Sequence, residues 1–138
     1  MSKYGTLEYK ISARIARKKC VVFLREDFDD LGGYDQVGRA IRSLVRKGQI
    51  MKIGYGLYAK AQVSPFNGEI IPQENLPQLA REALQRLGVR TAPSSYETAY
   101  NEGRSAQVPT GRMIGVRDRV SRRIGYSDAY VSYERISR

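Results

Sequence analysis

The chain has 138 residues, a length for one ordinary domain or two small ones, and carries 24 Lys and Arg against 14 Asp and Glu for a formal charge of +10. That balance attracts polyanions, nucleic acid or an acidic membrane surface, and is silent about fold. A single Cys excludes an internal disulfide, and the lack of His removes the commonest general base and metal ligand, which disfavours most enzyme classes.

Near the amino end, Leu7, Ile11 and Ile15 recur every four residues among Lys and Arg, predicting an amphipathic helix over residues 5–18. Cys20 directly precedes "VVF" and reads as a small buried residue opening a strand rather than as a nucleophile. "REDFDDLGG" follows as a short helix with Phe28 and Leu31 on its buried side, stopped by Gly32-Gly33. Its Asp27, Asp29 and Asp30 suit the start of a helix better than a cation site, so no metal or cofactor is expected.

From Tyr34 to Lys47 the helical period returns. Val37, Ala40, Ile41, Leu44 and Val45 form one side, Arg39, Arg42, Ser43 and Arg46 the other, and Gly48 marks the end. "IMKI", a Gly-Tyr-Gly turn and "LYAK" then spell a β-hairpin. Helix, strand, helix, helix, hairpin is the order of a winged helix-turn-helix, assigned to residues 1–60. Residues 61–75, with Pro65, Asn67, Gly68, Pro72 and Asn75, read as a linker. Leu76, Leu79, Ala80, Ala83, Leu84 and Leu87 predict a helix closed by Gly88, and a shorter helix is expected over 94–103. "RMIGV", "RVSRRIGY" and "AYVSYERI" then read as strands separated by turns at 117–118 and 127–128. The fold class expected is therefore α+β: a winged helix followed by a small α+β domain over 76–138, helices first and antiparallel strands after.

A helix that enters the major groove must bury one face and offer hydrogen-bond donors on the other. Arg39, Arg42 and Arg46, three and four residues apart, rise from neighbouring turns where their forks suit guanine edges or phosphates, and Ser43 permits close approach. Lys47 extends the cationic helix end. Lys52 and Lys60 flank the hairpin turn as phosphate donors, with Tyr55 at the tip where a wing meets the backbone or minor groove. The alternative for this helix is an ordinary solvated basic face. Charge also gathers later in the chain: Arg104, Arg112, Arg117, Arg119, Arg122 and Arg123 are opposed within their stretch by Asp118 alone. Strand alternation would set several of these on one sheet face as a second cationic surface, formed by Arg112, Arg117, Arg119, Arg122 and Arg123, unless nearby Glu and Asp pair with them. Tyr96, Tyr100, Tyr126, Tyr130 and Tyr133 suit core filling with a wet hydroxyl, or stacking beside arginine.

The stretch "VVFLREDFDDLGGYDQVGRAIRSLVRKGQIMKIGYGLYAK" resembles the amino-terminal winged helix of the AbiEi-type antitoxins and of related short proteins of unknown function. The matching positions are Phe23, Asp27-Phe28, Leu44 with Gly48, and Ile50, Ile53, Gly56 and Tyr58. A second segment, Asn101, Gly103 and Gln107-Val108-Pro109, is similar to the following domain of that family. The resemblance implies a transcriptional regulator that represses its own operon at repeated upstream sequences and counters a nucleotidyltransferase toxin encoded beside it, without necessarily touching that toxin. This chain is shorter than the longer members, so DNA binding carries over more safely than toxin neutralisation.

The expectation is a non-enzymatic, sequence-specific DNA-binding regulator of antitoxin type, with double-stranded operator DNA as partner. The alternative is a winged helix used to dock a protein or RNA. With no apolar run near the ~18 residues of a membrane span and no charged-then-apolar leader, the expected location is cytoplasmic.

Overall fold

The computed structural model describes residues 6–106 and 112–137. The chain divides into two compact units, Met1–Glu74 and Asn75–Arg138. The Gln107-Val108-Pro109 segment lies outside the described residues.

In the first unit, α1 spans Leu7–Arg17, with the Thr6 hydroxyl accepting the Tyr9 amide as its N-cap. β1 covers Val22–Leu24 and runs into a 3-10 helix, Arg25–Leu31, whose Asp27 carboxylate turns back to accept the Leu24 amide. α2 spans Tyr34–Arg46; Val37, Ala40, Ile41 and Leu44 are buried, as a 3.6-residue period requires. β2, Ile50–Gly54, and β3, Leu57–Val63, form an antiparallel hairpin. Gly56 takes the left-handed conformation (φ +68°) at its turn. The sheet order is β1-β3-β2. The core behind it joins Ile11 and Ile15 of α1, Phe23, Phe28, the apolar face of α2 and Ile50. Element order and pairing are those of a winged helix.

The stretch expected as a linker is part of this unit. β3 runs on to Val63, and a further strand, β4 (Ile70–Pro72), pairs antiparallel with its far end, Ala61 with Pro72 and Val63 with Ile70. Asn67 and Gly68 (φ +73°), which read as loop-formers, make the turn of this second hairpin together with Ser64: Ser64 N–H donates to the Glu69 carbonyl at 2.7 Å, and Gly68 N–H to the Ser64 carbonyl at 3.0 Å.

The second unit opens with α3, Leu76–Arg86, capped by Asn75 and burying Leu76, Leu79, Ala80, Ala83 and Leu84. β5 (Thr91–Ala92) leads to α4 (Ser95–Asn101). The Ser94 side chain is 1% exposed and caps α4 in a reciprocal pair with Glu97, whose carboxylate also binds Arg81 of α3 at 3.0 Å. β6 (Met113–Val116) stands between β5 and β9 (Ser132–Arg135), with β7 (Gly125–Tyr126) and β8 (Ala129–Tyr130) as a separate small hairpin. β7–β8 is antiparallel, as expected of these strands, and so is the pairing of β6 with β5, which the sequence does not predict as a strand, whereas β9 joins β6 in parallel. Only Gly125–Tyr126 of "RVSRRIGY" is strand; residues 119–124 are irregular. "AYVSYERI" is broken at Val131, whose buried side chain separates β8 from β9.

No helix among the described residues is long and apolar enough to cross a membrane.

Candidate nucleic-acid interface

α2 owes its exposed face to what its other face buries. Sinking Val37, Ile41 and Leu44 into the core, each at 1% exposure or less, fixes the helix rotation so that Arg39, Arg42 and Arg46 point outward. Each buried aliphatic chain contributes about 1.5–3 kcal/mol, enough to hold that orientation against three exposed cations. Arg39 and Arg42 carry no salt bridge among the described residues. Their guanidinium forks are available to a polyanion.

The sequence-predicted residues separate into two groups. Arg39, Arg42, Arg46, Lys52 and Tyr55 are exposed, Tyr55 at 81% on the hairpin turn. Ser43, expected to permit close approach, and Lys47 and Lys60, expected as outward donors, are engaged within the protein. Lys47 forms an ion pair with Glu8 of α1, and the Ser43 hydroxyl binds the same carboxylate. These two contacts, Lys47 first, hold Glu8 below its ordinary range. Lys60 donates from Nζ to the Lys18 carbonyl at 2.5 Å, so it closes the open end of α1 instead of lying beside the wing turn. All three contacts are to α1, which sequence periodicity could not place against α2 and β3.

Two residues that sequence reasoning passed over stand at the amino end of α2. The Arg25 guanidinium lies 3.6 Å from the centre of the Tyr34 ring and donates to the Tyr34 carbonyl at 2.6 Å. Gly38 makes room for it: a Cβ there would come within 2.5 Å of an Arg25 nitrogen. The Arg25 amide donates to the Gly56 carbonyl at 3.2 Å, which ties this corner to the wing turn. Tyr34 is 67% exposed, and Gln36 is exposed one turn before Arg39. Arg25, Tyr34, Gln36 and Arg39 thus line the amino-terminal part of α2, the part that enters the groove in helix-turn-helix proteins, with Arg42 about one turn further on. The one available sequence signal was Gly38, a glycine inside a helical pattern.

Two members of the acidic cluster are used internally. Asp27 caps the 3-10 helix, and Asp30 makes a two-pronged pair with Arg14, at 2.6 and 2.9 Å, that draws its carboxyl below the ordinary value.

The second group of arginines does not share a sheet face, because the segment between β6 and β7 is not strand. Arg112 precedes β6 and Arg117 follows it; the Arg122 carbonyl accepts the Tyr133 hydroxyl at 2.6 Å, and Arg123 stacks on the Tyr130 ring at 4.5 Å. Burial raises the Tyr133 hydroxyl's pKa. Asp118, expected as the local counter-charge, binds Arg90: both carboxylate oxygens meet the guanidinium, the shortest contact being 2.6 Å, and the Arg90 amide adds a bond at 2.8 Å. The guanidinium contact first, and the amide after it, hold the Asp118 pKa at about 2, against an ordinary 3.8. A depressed carboxyl stabilises the fold fully above its unfolded value and loses that contribution as pH falls through the folded one. Acid should therefore remove this tie between pH 4 and 2, and Asp118→Asn should abolish that step. Carbon-detected NMR titration of the Asp118 carboxyl checks this; a midpoint near 3.8 refutes it.

A model of a family of unknown function, DUF6088, matches residues 10–137. No curated protein matches the chain. The crystal structure of the RV2827C protein from Mycobacterium tuberculosis is similar to it in fold, with a TM-score of 0.59 at 23% identity. The match covers 94% of this chain and 45% of that one, so the chain spans less than half the length of that protein.

Proposed function

Since the chain belongs to the DUF6088 family of unknown function, its activity has to be sought in its own residues, and we propose that it is a sequence-specific DNA-binding transcriptional regulator. The observation that carries this reading is α2, with one face packed into the winged-helix core and the other offering Arg39 and Arg42 without internal ion pairs beside Arg25, Tyr34 and the wing turn. α2 lies in the major groove, Arg39 and Arg42 read base edges, and Lys52 and Tyr55 on the hairpin meet the backbone. The resemblance of residues 21–60 to the AbiEi-type antitoxins supports a narrower form: an autorepressor of a toxin-antitoxin operon, acting in the cytoplasm, whose neighbouring gene encodes a nucleotidyltransferase toxin.

The test is fluorescence anisotropy of the purified protein on the DNA immediately upstream of its gene, against a shuffled duplex, at two salt concentrations. A preference for the native duplex that survives the higher salt supports the reading; equal binding, erased by salt, refutes it. Within that assay, Arg39→Ala or Arg42→Ala is expected to lose ~1–3 kcal/mol on the specific duplex only, whereas Lys52→Ala weakens both duplexes alike. Uniform losses for all of these variants would remove Arg39 and Arg42 as base readers.

A second reading, a module that docks a protein partner such as a toxin, is favoured by the β3–β4 hairpin. Its turn is held by the Ser64–Glu69 and Ser64–Phe66 hydrogen bonds and presents Phe66 at 96% exposure, with Val63 at 60% beside it. Tight binding to the product of the neighbouring gene, together with sequence-indifferent DNA binding, would select it.

A further inference from the structure

We propose that the second unit carries a binding surface of its own for the phosphate backbone of duplex DNA, built where β5, β6 and β9 meet. The backbone brings three arginines distant in sequence next to one another there. The Arg117 amide donates to the Arg90 carbonyl at 2.9 Å, and Arg135 Nε donates to the Arg117 carbonyl at 3.0 Å. The sheet itself enforces this: Thr91 and Arg135 both sit opposite Val116, one on each side of β6. Arg119 follows two residues after Arg117 and is exposed.

Compensation in this cluster is incomplete. Asp118 spends both oxygens on the side chain and amide of Arg90. Glu134, the neighbour of Arg135, is taken by Ser95, whose amide and hydroxyl donate to its two oxygens at 2.7 and 2.6 Å and lower its pKa. Arg117 and Arg119 have no salt bridge among the described residues, and Arg135 is exposed, donating from Nε to the Arg117 carbonyl and standing near enough to Asp118 to help lower the pKa of that one carboxyl. Cations in excess at one sheet end favour an anion laid along it. Guanidinium forks match phosphate oxygens in pairs, and a duplex offers a phosphate charge about every 1.7 Å of its axis, so one backbone can meet several of them together. Such contacts position DNA without reading its sequence. The surface is thus distinct in kind from α2, and its operation does not depend on α2 reading a sequence.

The test uses the full chain and a 20-base-pair duplex of random sequence, with the dissociation constant followed from 50 to 200 mM salt. Relative to wild type, the triple variant Arg117→Gln, Arg119→Gln, Arg135→Gln is expected to reduce the slope of log affinity against log salt by about 2–3 and to weaken binding at least tenfold at the lower salt, since each phosphate contact adds about 0.9 to the slope. Arg119→Gln alone should reduce the slope by about 1 and, being a single exposed change, serves where the triple variant does not fold. The corresponding triple Lys variant should keep the wild-type slope. An unchanged slope in a folded Gln variant overturns the proposal, as does a Lys variant that fails as badly as the Gln one. Preference for a polyglutamate peptide over the duplex at matched charge would overturn DNA as the occupant. Because the duplex is random, loss of slope here stands apart from loss of sequence preference in Arg39→Ala, and either can fail alone.

Discussion

Replacing Phe28 with alanine is expected to lower the stability of the first unit by about 3–5 kcal/mol, the cost of emptying an aromatic site in a packed core. Phe28 is 1% exposed, its ring centre is 6.1 Å from that of Phe23, and it belongs to the cluster that backs α2. A winged helix of this size has a total stability of about 5–15 kcal/mol, so the change removes a large share of it. Since α2 has its outward face only because its inward face rests on this core, specific DNA binding should fall with the folded fraction. Tyr55→Ala, at a position 81% exposed, is the matching control and should change stability by less than about 0.5 kcal/mol. The chain has no Trp, so urea unfolding is best followed by far-ultraviolet circular dichroism, with amide exchange assigning the loss to residues of α1, α2 and β3. A Phe28→Ala loss below about 1 kcal/mol would mean that the core does not close around this ring.

A comparable effect is expected in the second unit from a much smaller change. Gly115 lies on β6, and a Cβ there would sit 2.3 Å from the Ala92 carbonyl oxygen and 2.9 Å from the Pro93 carbonyl. These are backbone atoms, which cannot turn aside as a side chain can. Gly115→Ala should therefore push β5 off β6 at a cost of about 3 kcal/mol, the upper end for overpacking. Gly103→Ala separates this collision from backbone conformation. It has open space around it but a left-handed φ of +75°, and should cost only about 1–2 kcal/mol. Loss of exchange protection at the Arg117 amide, which bonds to Arg90, would report the opening of the β5–β6 edge. Equal stability of the two variants would contradict the packing described. If β5 is displaced, Arg90 separates from Arg117, and the salt slope on random DNA should fall as it does in the Gln variants.

Several features of the protein are legible without coordinates because they are local. The apolar residues of α1, α2 and α3 repeat at the helical period, and Gly48, Gly56 and Gly88, all at positive φ, mark stops and a turn where the sequence has glycine. The stretch 61–75 reads as a linker because its turn chemistry is real but belongs to a hairpin: Ile70–Pro72 is too short to show a period, and only the free edge of β3 makes it a strand. The two-residue strand β5 is illegible for the same reason; β7 and β8 fall in segments that read as strands about the 127–128 turn, but "RVSRRIGY", β-like in composition, has no partner along most of its length.

By itself, then, the sequence determined the amphipathic faces, the wing hairpin, the α+β class and the surplus of cations, all properties of residues a few positions apart. Tertiary structure decided which of those cations are spent and which are left. Lys47 meets Glu8, Lys60 meets the end of α1, and Arg90 is paired with Asp118, while Arg39, Arg42 and Arg119 stay exposed. The physical reason is that ion pairs and strand pairings depend on distances through space. Arg90, Arg117 and Arg135 become neighbours only when β5 and β9 close on either side of β6.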